Sequence, residues 1–182
     1  VNDFDVVITS KAGAEVASFK YGERPTDAIE LEAGVYTIAI SSASMEAAAW
    51  EAPVYSAKKE VIINRKETTT VNDIVCKLSN IKVSVAYSAD IKDQLDPEYT
   101  KMTVELGAST LEYAFTEERA GYFEPKAEEN TLKLTFNCRY VGETKDITMT
   151  KEIKGVKAAQ WRKINVVVQN AEEGTGTICI VC

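Results

Sequence analysis

The residues best equipped for chemistry stand near the end of the chain, where Cys179 and Cys182 form a C-x-x-C spacing within Ile178-Cys-Ile-Val-Cys182. Such a pair does redox work when a helix N-terminus lowers one thiol pKa, and it holds zinc when a second pair of ligands exists. Neither condition is met in the sequence. Ile180 and Val181 favour a strand, on which residues three apart face opposite sides, and there is no second C-x-x-C. There is also no histidine, which removes histidine-based triads, imidazole metal sites and histidine acid-base catalysis. An enzyme would have to rely on carboxylates. The pairs Glu117 and Glu118, Glu128 and Glu129, and Glu172 and Glu173 are adjacent along the chain. Catalytic carboxylates must instead be opposed across a cleft, so these read as solvated turns. Asp90, Asp93 and Asp96 could gather on one helix face, but the glycine-containing loop of an EF-hand is missing. No catalytic residue, metal or cofactor is expected, and the chain reads as non-enzymatic.

Binding chemistry has better candidates. Tyr21, Trp50, Tyr55, Tyr122 and Phe123 fall in segments expected to be loops, and Trp161 falls at the entry to a strand. Exposed aromatics near carboxylates and amides are suited to stacking on sugars, whereas the same rings turned inward would plug the open ends of a β-sandwich. A second candidate is the apolar segment Thr177, Ile178, Cys179, Ile180, Val181. A strand without a partner can add to the sheet of another subunit, with main-chain hydrogen bonds supplying affinity and alternate side chains specificity.

The composition limits the partners. Across 182 residues the formal net charge is −7, so the basic footprint of a nucleic-acid binder is absent. The apolar fraction of 45% supports a packed core. No run approaches the roughly 18 apolar residues of a membrane span, and Val1-Asn-Asp-Phe-Asp5 has no charged-then-apolar leader. Cys76 and Cys138 lie on apolar faces of expected strands, where a free thiol behaves as a small hydrophobe.

The elements that position these residues are mostly strands. Phe4, Val6 and Ile8 alternate with Asp5, Val7 and Thr9, and Glu15 to Tyr21 makes a hairpin partner. Gly34 is placed to supply a positive-φ turn before a strand in which Tyr36, Ile38 and Ile40 share a face. Ala43 to Trp50 is rich in helix formers and predicts a short helix ending before Pro53. Lys59 to Ile63 predicts another strand. Between Thr68 and Tyr87 the alternation changes phase at Ser79-Asn80, which reads as passage from one core to another. Ser88 to Leu95 predicts a short helix, stopped by Asp96-Pro97. Strands then follow at Met102 to Leu106, Leu111 to Phe115, Leu132 to Tyr140, Ile147 to Ile153 and Ile164 to Val168. The expected architecture is all-β, two tandem antiparallel β-sandwich domains with short helices. Their expected limits are 1–79 and 80–170, followed by a connector at 172–176 and a terminal strand that breaks off without a closing turn, as if it paired with something beyond it.

Three pieces together carry a resemblance: Leu31-x-x-Gly34-x-Tyr36, the junction from Val75 to Val85, and Thr116-x-x-x-Ala120-Gly-Tyr-Phe123. The chain resembles an uncharacterised family of Bacteroides-type exported lipoproteins related to fimbrillin-like pilus and adhesin subunits, over about residues 4–170. The resemblance implies tandem transthyretin-like or Ig-like sandwiches, an N-terminal lipid anchor preceding Val1, and exposure at the cell surface or outer membrane. The implied partners are other surface or pilus subunits, or glycans. It assigns no catalytic residues.

Overall fold

A computed structural model describes residues 1–171 and 175–182. Strand accounts for 51% of the chain and helix for 4%, which makes the protein all-β. The residues group into two compact units, Val1–Met45 with Val54–Ser79, and Glu46–Pro53 with Asn80–Cys182.

In the first unit, β1 (Asp5–Ser10), β2 (Glu15–Lys20), β3 (Gly34–Ser41), β5 (Tyr55–Ile63) and β6 (Lys77–Leu78) form one antiparallel sheet ordered β2-β1-β3-β5-β6. Register sets its buried face. Val6 pairs with Ile40 and Ile8 with Ile38, so the even-numbered residues of β1 and β3 point the same way. Val6, Ile8, Tyr36 and Ile38 are enclosed there, joined by half-buried Leu31, Val71 and Ile74. The layer facing this sheet consists of the connecting segments 24–33 and 64–74 rather than of a second sheet. The segment 68–76 looks extended in sequence, but Asp73 sits at φ 59°, in the left-handed region, which interrupts the alternation a strand requires. These segments fit the sheet loosely and leave a groove of about 1240 Å³ along Ile8, Ile38, Val61 and Ile63.

The second unit is a two-sheet sandwich. One sheet is ordered β14-β13-β7-β10-β4, from β4 (Ala49–Trp50), β7 (Ile81–Tyr87), β10 (Gly121–Phe123), β13 (Trp161–Ala171) and β14 (Thr175–Val181). The other is ordered β12-β11-β8-β9, from β8 (Lys101–Leu106), β9 (Ser109–Ala114), β11 (Asn130–Cys138) and β12 (Ile147–Val156). Every ladder is antiparallel except β13 with β7, which run parallel from Trp161 opposite Lys82 to Val166 opposite Tyr87. A parallel pair needs a long crossover, and β8 to β12 supply it. Between the sheets lies the larger core, in which Ile81, Val83, Ile164, Met102, Leu134 and Phe136 are wholly enclosed.

Several local expectations change. Ala43 to Trp50 is not a helix: its end forms β4, because Ala49 and Trp50 pair with Tyr122 and Gly121, and that tertiary pairing outweighs the modest helix preference of alanine. The expected helix at Ser88 to Leu95 shortens to α1 (Ala89–Lys92), with Ser88 at its N-cap. Gly34 opens β3 opposite Ile63 instead of taking a positive φ. The expected loop at 117–125 contains β10. Of the expected connector at 172–176, residues 172–174 lie outside the described residues, and Thr175 and Gly176 belong to β14.

Candidate functional site

β14 is the outer strand of its sheet. It has one ladder, to β13, running from Val181 opposite Asn165 to Thr175 opposite Ala171. The expectation of a partnerless terminal strand is therefore corrected: the strand has β13 on one side, and its other side is a sheet edge. Ile178 and Ile180 point into the core and are 7% exposed, whereas Thr177 and Val181 are exposed and Cys179 half-buried. The alternation that buries the two isoleucines thus leaves the other three side chains on the outer face of the sheet. Lys151, on β12 of the facing sheet, reaches this edge strand, and its Nζ donates to the Ile180 carbonyl at 2.7 Å. A lysine on an edge resists the docking of a further strand, because adding one would desolvate its charge.

The sugar-stacking candidates separate. Tyr21 is 38% exposed, with the Arg24 guanidinium 4.7 Å from its ring centroid. Tyr55 is 41% exposed but lies within β5, not in a loop. Tyr122 and Phe123 are strand residues of β10 and are buried, so their reading as loop aromatics is corrected. The short Gly121–Phe123 strand fills the space between β7 and β4, and pairing on both sides covers it. Trp50 is half-buried: its ring meets Tyr113 edge-on at 4.6 Å, and Arg119 lies 5.0 Å from its centroid. Tyr21 and Tyr55 belong to the first unit, and Trp50, Tyr122 and Phe123 to the second.

Three of the acidic candidates, Glu117, Glu129 and Asp96, are engaged with neighbours. Glu117 accepts from Arg119 Nε at 3.0 Å and from Nη2 at 2.7 Å, and the Arg119 backbone N–H donates to it as well. These bonds hold its carboxyl down at about 2. Glu129 pairs with Lys157 at 3.1 Å. Glu172 and Glu173 lie outside the described residues. Asp96 accepts from the Glu98 N–H, which ties it into a turn, and among the described residues no three His, Cys, Asp or Glu side chains converge on a metal position. Cys138 is enclosed, and burial pushes its thiol up to about 11, so it is not nucleophilic at neutral pH. Cys76 is only half-buried and lies outside the strands.

Trp161, expected at the entry to a strand, is an exposed aromatic with two cationic neighbours. It is 50% exposed at the start of β13, and its Nε1 donates to Ser84 Oγ at 3.0 Å. Lys82 Nζ and Lys163 Nζ stand 4.0 and 4.1 Å from its ring centroid. The sequence separation of Trp161 from Lys82 hid this grouping, since only the parallel ladder brings them together.

The all-β fold recurs in a fimbrial assembly protein from Parabacteroides distasonis, which is similar over 98% of this chain and 91% of that one, with a TM-score of 0.54 at 11% identity. The chain belongs to the family described as domain of unknown function DUF4493, whose model matches residues 1–181. A candidate adhesin from Bacteroides ovatus is similar over 100% of this chain and 86% of its own, with a TM-score of 0.47 and 11% identity. A candidate cell adhesion protein from Bacteroides fragilis is similar over 100% and 85%, with a TM-score of 0.43 and 8% identity. No curated protein matches the chain.

Proposed function

We propose that this is an exported, non-enzymatic interaction protein of the bacterial cell surface, a pilus or adhesin subunit. On this reading it consists of two tandem domains, the chain passing from the first to the second at Ser79-Asn80 with Glu46–Pro53 belonging to the second, is tethered through a lipid anchor preceding Val1, and associates with like subunits by strand addition. The observation that carries the reading is the β14 edge, a strand with one ladder, to β13, and a sheet edge on its other side. The similarity in fold to a fimbrial assembly protein supports it. Strand addition suits such an edge because an incoming strand gains a row of main-chain hydrogen bonds at little cost in side-chain fit. Thr177, Cys179 and Val181 would line the outer face of the extended sheet, and Lys151 would set how readily the edge opens.

Sedimentation of the full chain across a range of concentrations, beside Lys151→Met, tests this. Removing the ammonium while keeping the stem's packing is expected to shift self-association to at least about tenfold lower concentration. If the Lys151→Met chain stays monomeric at every concentration at which the native chain does, strand addition at this edge is wrong. Protease shaving of intact cells tests the surface assignment separately, and complete protection would count against it. Glycan binding through the loop aromatics is the weaker alternative, since Tyr122 and Phe123 are enclosed.

A further inference from the structure

We propose that Trp161, Lys82, Lys163 and Ser84 form a binding platform for an acidic saccharide, one carrying a carboxylate or sulfate, on the outer face of the β13–β7 pair. Ile81 and Val83 point into the core, so Lys82 and Ser84 point outward, and the parallel register sets Trp161 beside Lys82 and Lys163 beside Ser84. Tyr122 occupies the next position in the same row, opposite Lys82 on β10. Tyr122 is buried, so the accessible part of this row is the Trp161 indole and the Lys82 ammonium.

Three features distinguish this group from ordinary surface lysines. The indole is held in place, because its Nε1 is engaged by Ser84 while half of the residue remains exposed. A ligand stacking on it meets a ring that is already oriented. The turn before it is also fixed: the Ala159 N–H donates to the Asn80 carbonyl at 3.1 Å and the Lys82 N–H to the Gln160 carbonyl at 2.9 Å, with Ala159 at φ 63°. Finally, among the described residues neither Lys82 nor Lys163 has a carboxylate within 4.0 Å, although the chain carries a net charge of −7. Six of the other fourteen lysines, Lys20, Lys101 and Lys157 among them, are paired with acids, so it is the joint approach of two unpaired ammoniums to one ring that sets this group apart. Two ammoniums held against an aromatic ring, with their charge uncompensated, offer donors to one anionic group.

The chemistry that matches is a sugar bearing a single anionic group on each residue. Its carboxylate or sulfate accepts from the two ammoniums, while the pyranose C–H face lies against the exposed part of the indole. A nucleic acid fits poorly, since the surrounding negative field opposes a densely charged chain and the patch offers only two cations. A neutral sugar would leave both ammoniums unused.

Tryptophan fluorescence of the full chain, titrated with tetragalacturonate, a chondroitin sulfate tetrasaccharide, maltotetraose and a short polyglutamate, tests the proposal. The expected result is saturable quenching by one or both acidic saccharides and none by maltotetraose. The affinity should fall at least about tenfold in Lys82→Gln with Lys163→Gln, and also as salt rises toward 1 M. Trp161→Phe should abolish the signal while Trp50 emission persists. Circular dichroism identifies a variant that has failed to fold, and the salt dependence of the native chain then stands in its place. Quenching by maltotetraose equal to that by the acidic sugars would overturn the proposal. So would no binding of either acidic sugar at about 1 mM, retention of affinity in the double glutamine variant, or equal binding of polyglutamate, which would identify an acidic polypeptide as the ligand.

Discussion

Trp50 stands edge-on to Tyr113 with ring centroids 4.6 Å apart and planes inclined at 77°. Tyr113 in turn donates its hydroxyl proton to the Val83 carbonyl at 3.1 Å. The two rings tie the two-residue strand β4 to β9 across the second unit's core, where β4's backbone pairing alone would be weak. Truncating Trp50 to alanine removes an aromatic pair and part of a half-buried ring. A loss of about 2 kcal/mol is expected, below the 3–5 typical of a fully buried aromatic. Urea unfolding followed by circular dichroism would reveal it as a lower midpoint, and an unchanged midpoint would mean that β4 contributes nothing to stability.

Gly121 lies directly under the same tyrosine. A Cβ at this position would come within 2.5 Å of Leu111 Cδ1 and closer still to the Tyr113 hydroxyl. The strand tolerates glycine here because two enclosed side chains occupy the space a larger residue would need. Gly121→Ala should therefore cost about 1–3 kcal/mol through overpacking, and a thermal melt would register it as a fall of several degrees.

Arg119 and Glu117 make a local charge-assisted pair that pH can interrogate. Because the folded carboxyl is held at about 2, any stability it contributes is present above the unfolded glutamate range and is lost as pH falls through about 2. The expected observation is a carboxyl carbon-13 titration midpoint near 2 for Glu117, moving up toward the ordinary glutamate range in Arg119→Ala, with the remaining backbone donors holding it somewhat below. The arginine is exposed, so added salt should diminish the difference.

Cysteine alkylation distinguishes enclosed from accessible thiols. Cys138 is 2% exposed with its thiol pushed up to about 11, whereas Cys182 is exposed. In iodoacetamide at mildly alkaline pH, mass mapping should find Cys182 modified first and Cys138 only once the second unit unfolds. Equal rates at the two positions would contradict the packing of β11.

The strands that could be read directly from the sequence were those with one wet face. Along β11, Leu132, Leu134, Phe136 and Cys138 are enclosed while Lys133 is exposed and Thr135 and Asn137 are only partly covered, and that contrast is written in residue type. Strand direction is not written there. The pattern at Ile164 and Val166 is the same for either orientation, so the parallel ladder with β7 was invisible, and with it the grouping of Trp161 with Lys82. Local preference misled at Ala43 to Trp50, where β10, more than seventy residues away, fixes the conformation. It also misled at Tyr122 and Phe123, which a turn-like composition placed in a loop rather than in β10. The segment around Val71 and Ile74 has the residues of a strand, but the backbone at Asp73 ends the alternation. Ile74 packs in the smaller core and Ile81 in the larger, on either side of the phase change at Ser79-Asn80.

The passage of Glu46–Pro53 into the second unit, between two stretches of the first, means that no single break in the chain separates the two units. During synthesis, all of the first unit's residues have emerged once Ser79 leaves the ribosome, but Trp50 must wait for Tyr113 and Gly121 to be made before it is covered. The nascent protein therefore passes through a stage in which its early half carries an uncovered indole. A fragment ending at Ser79 would lack the residues that cover Trp50 and would keep its indole exposed.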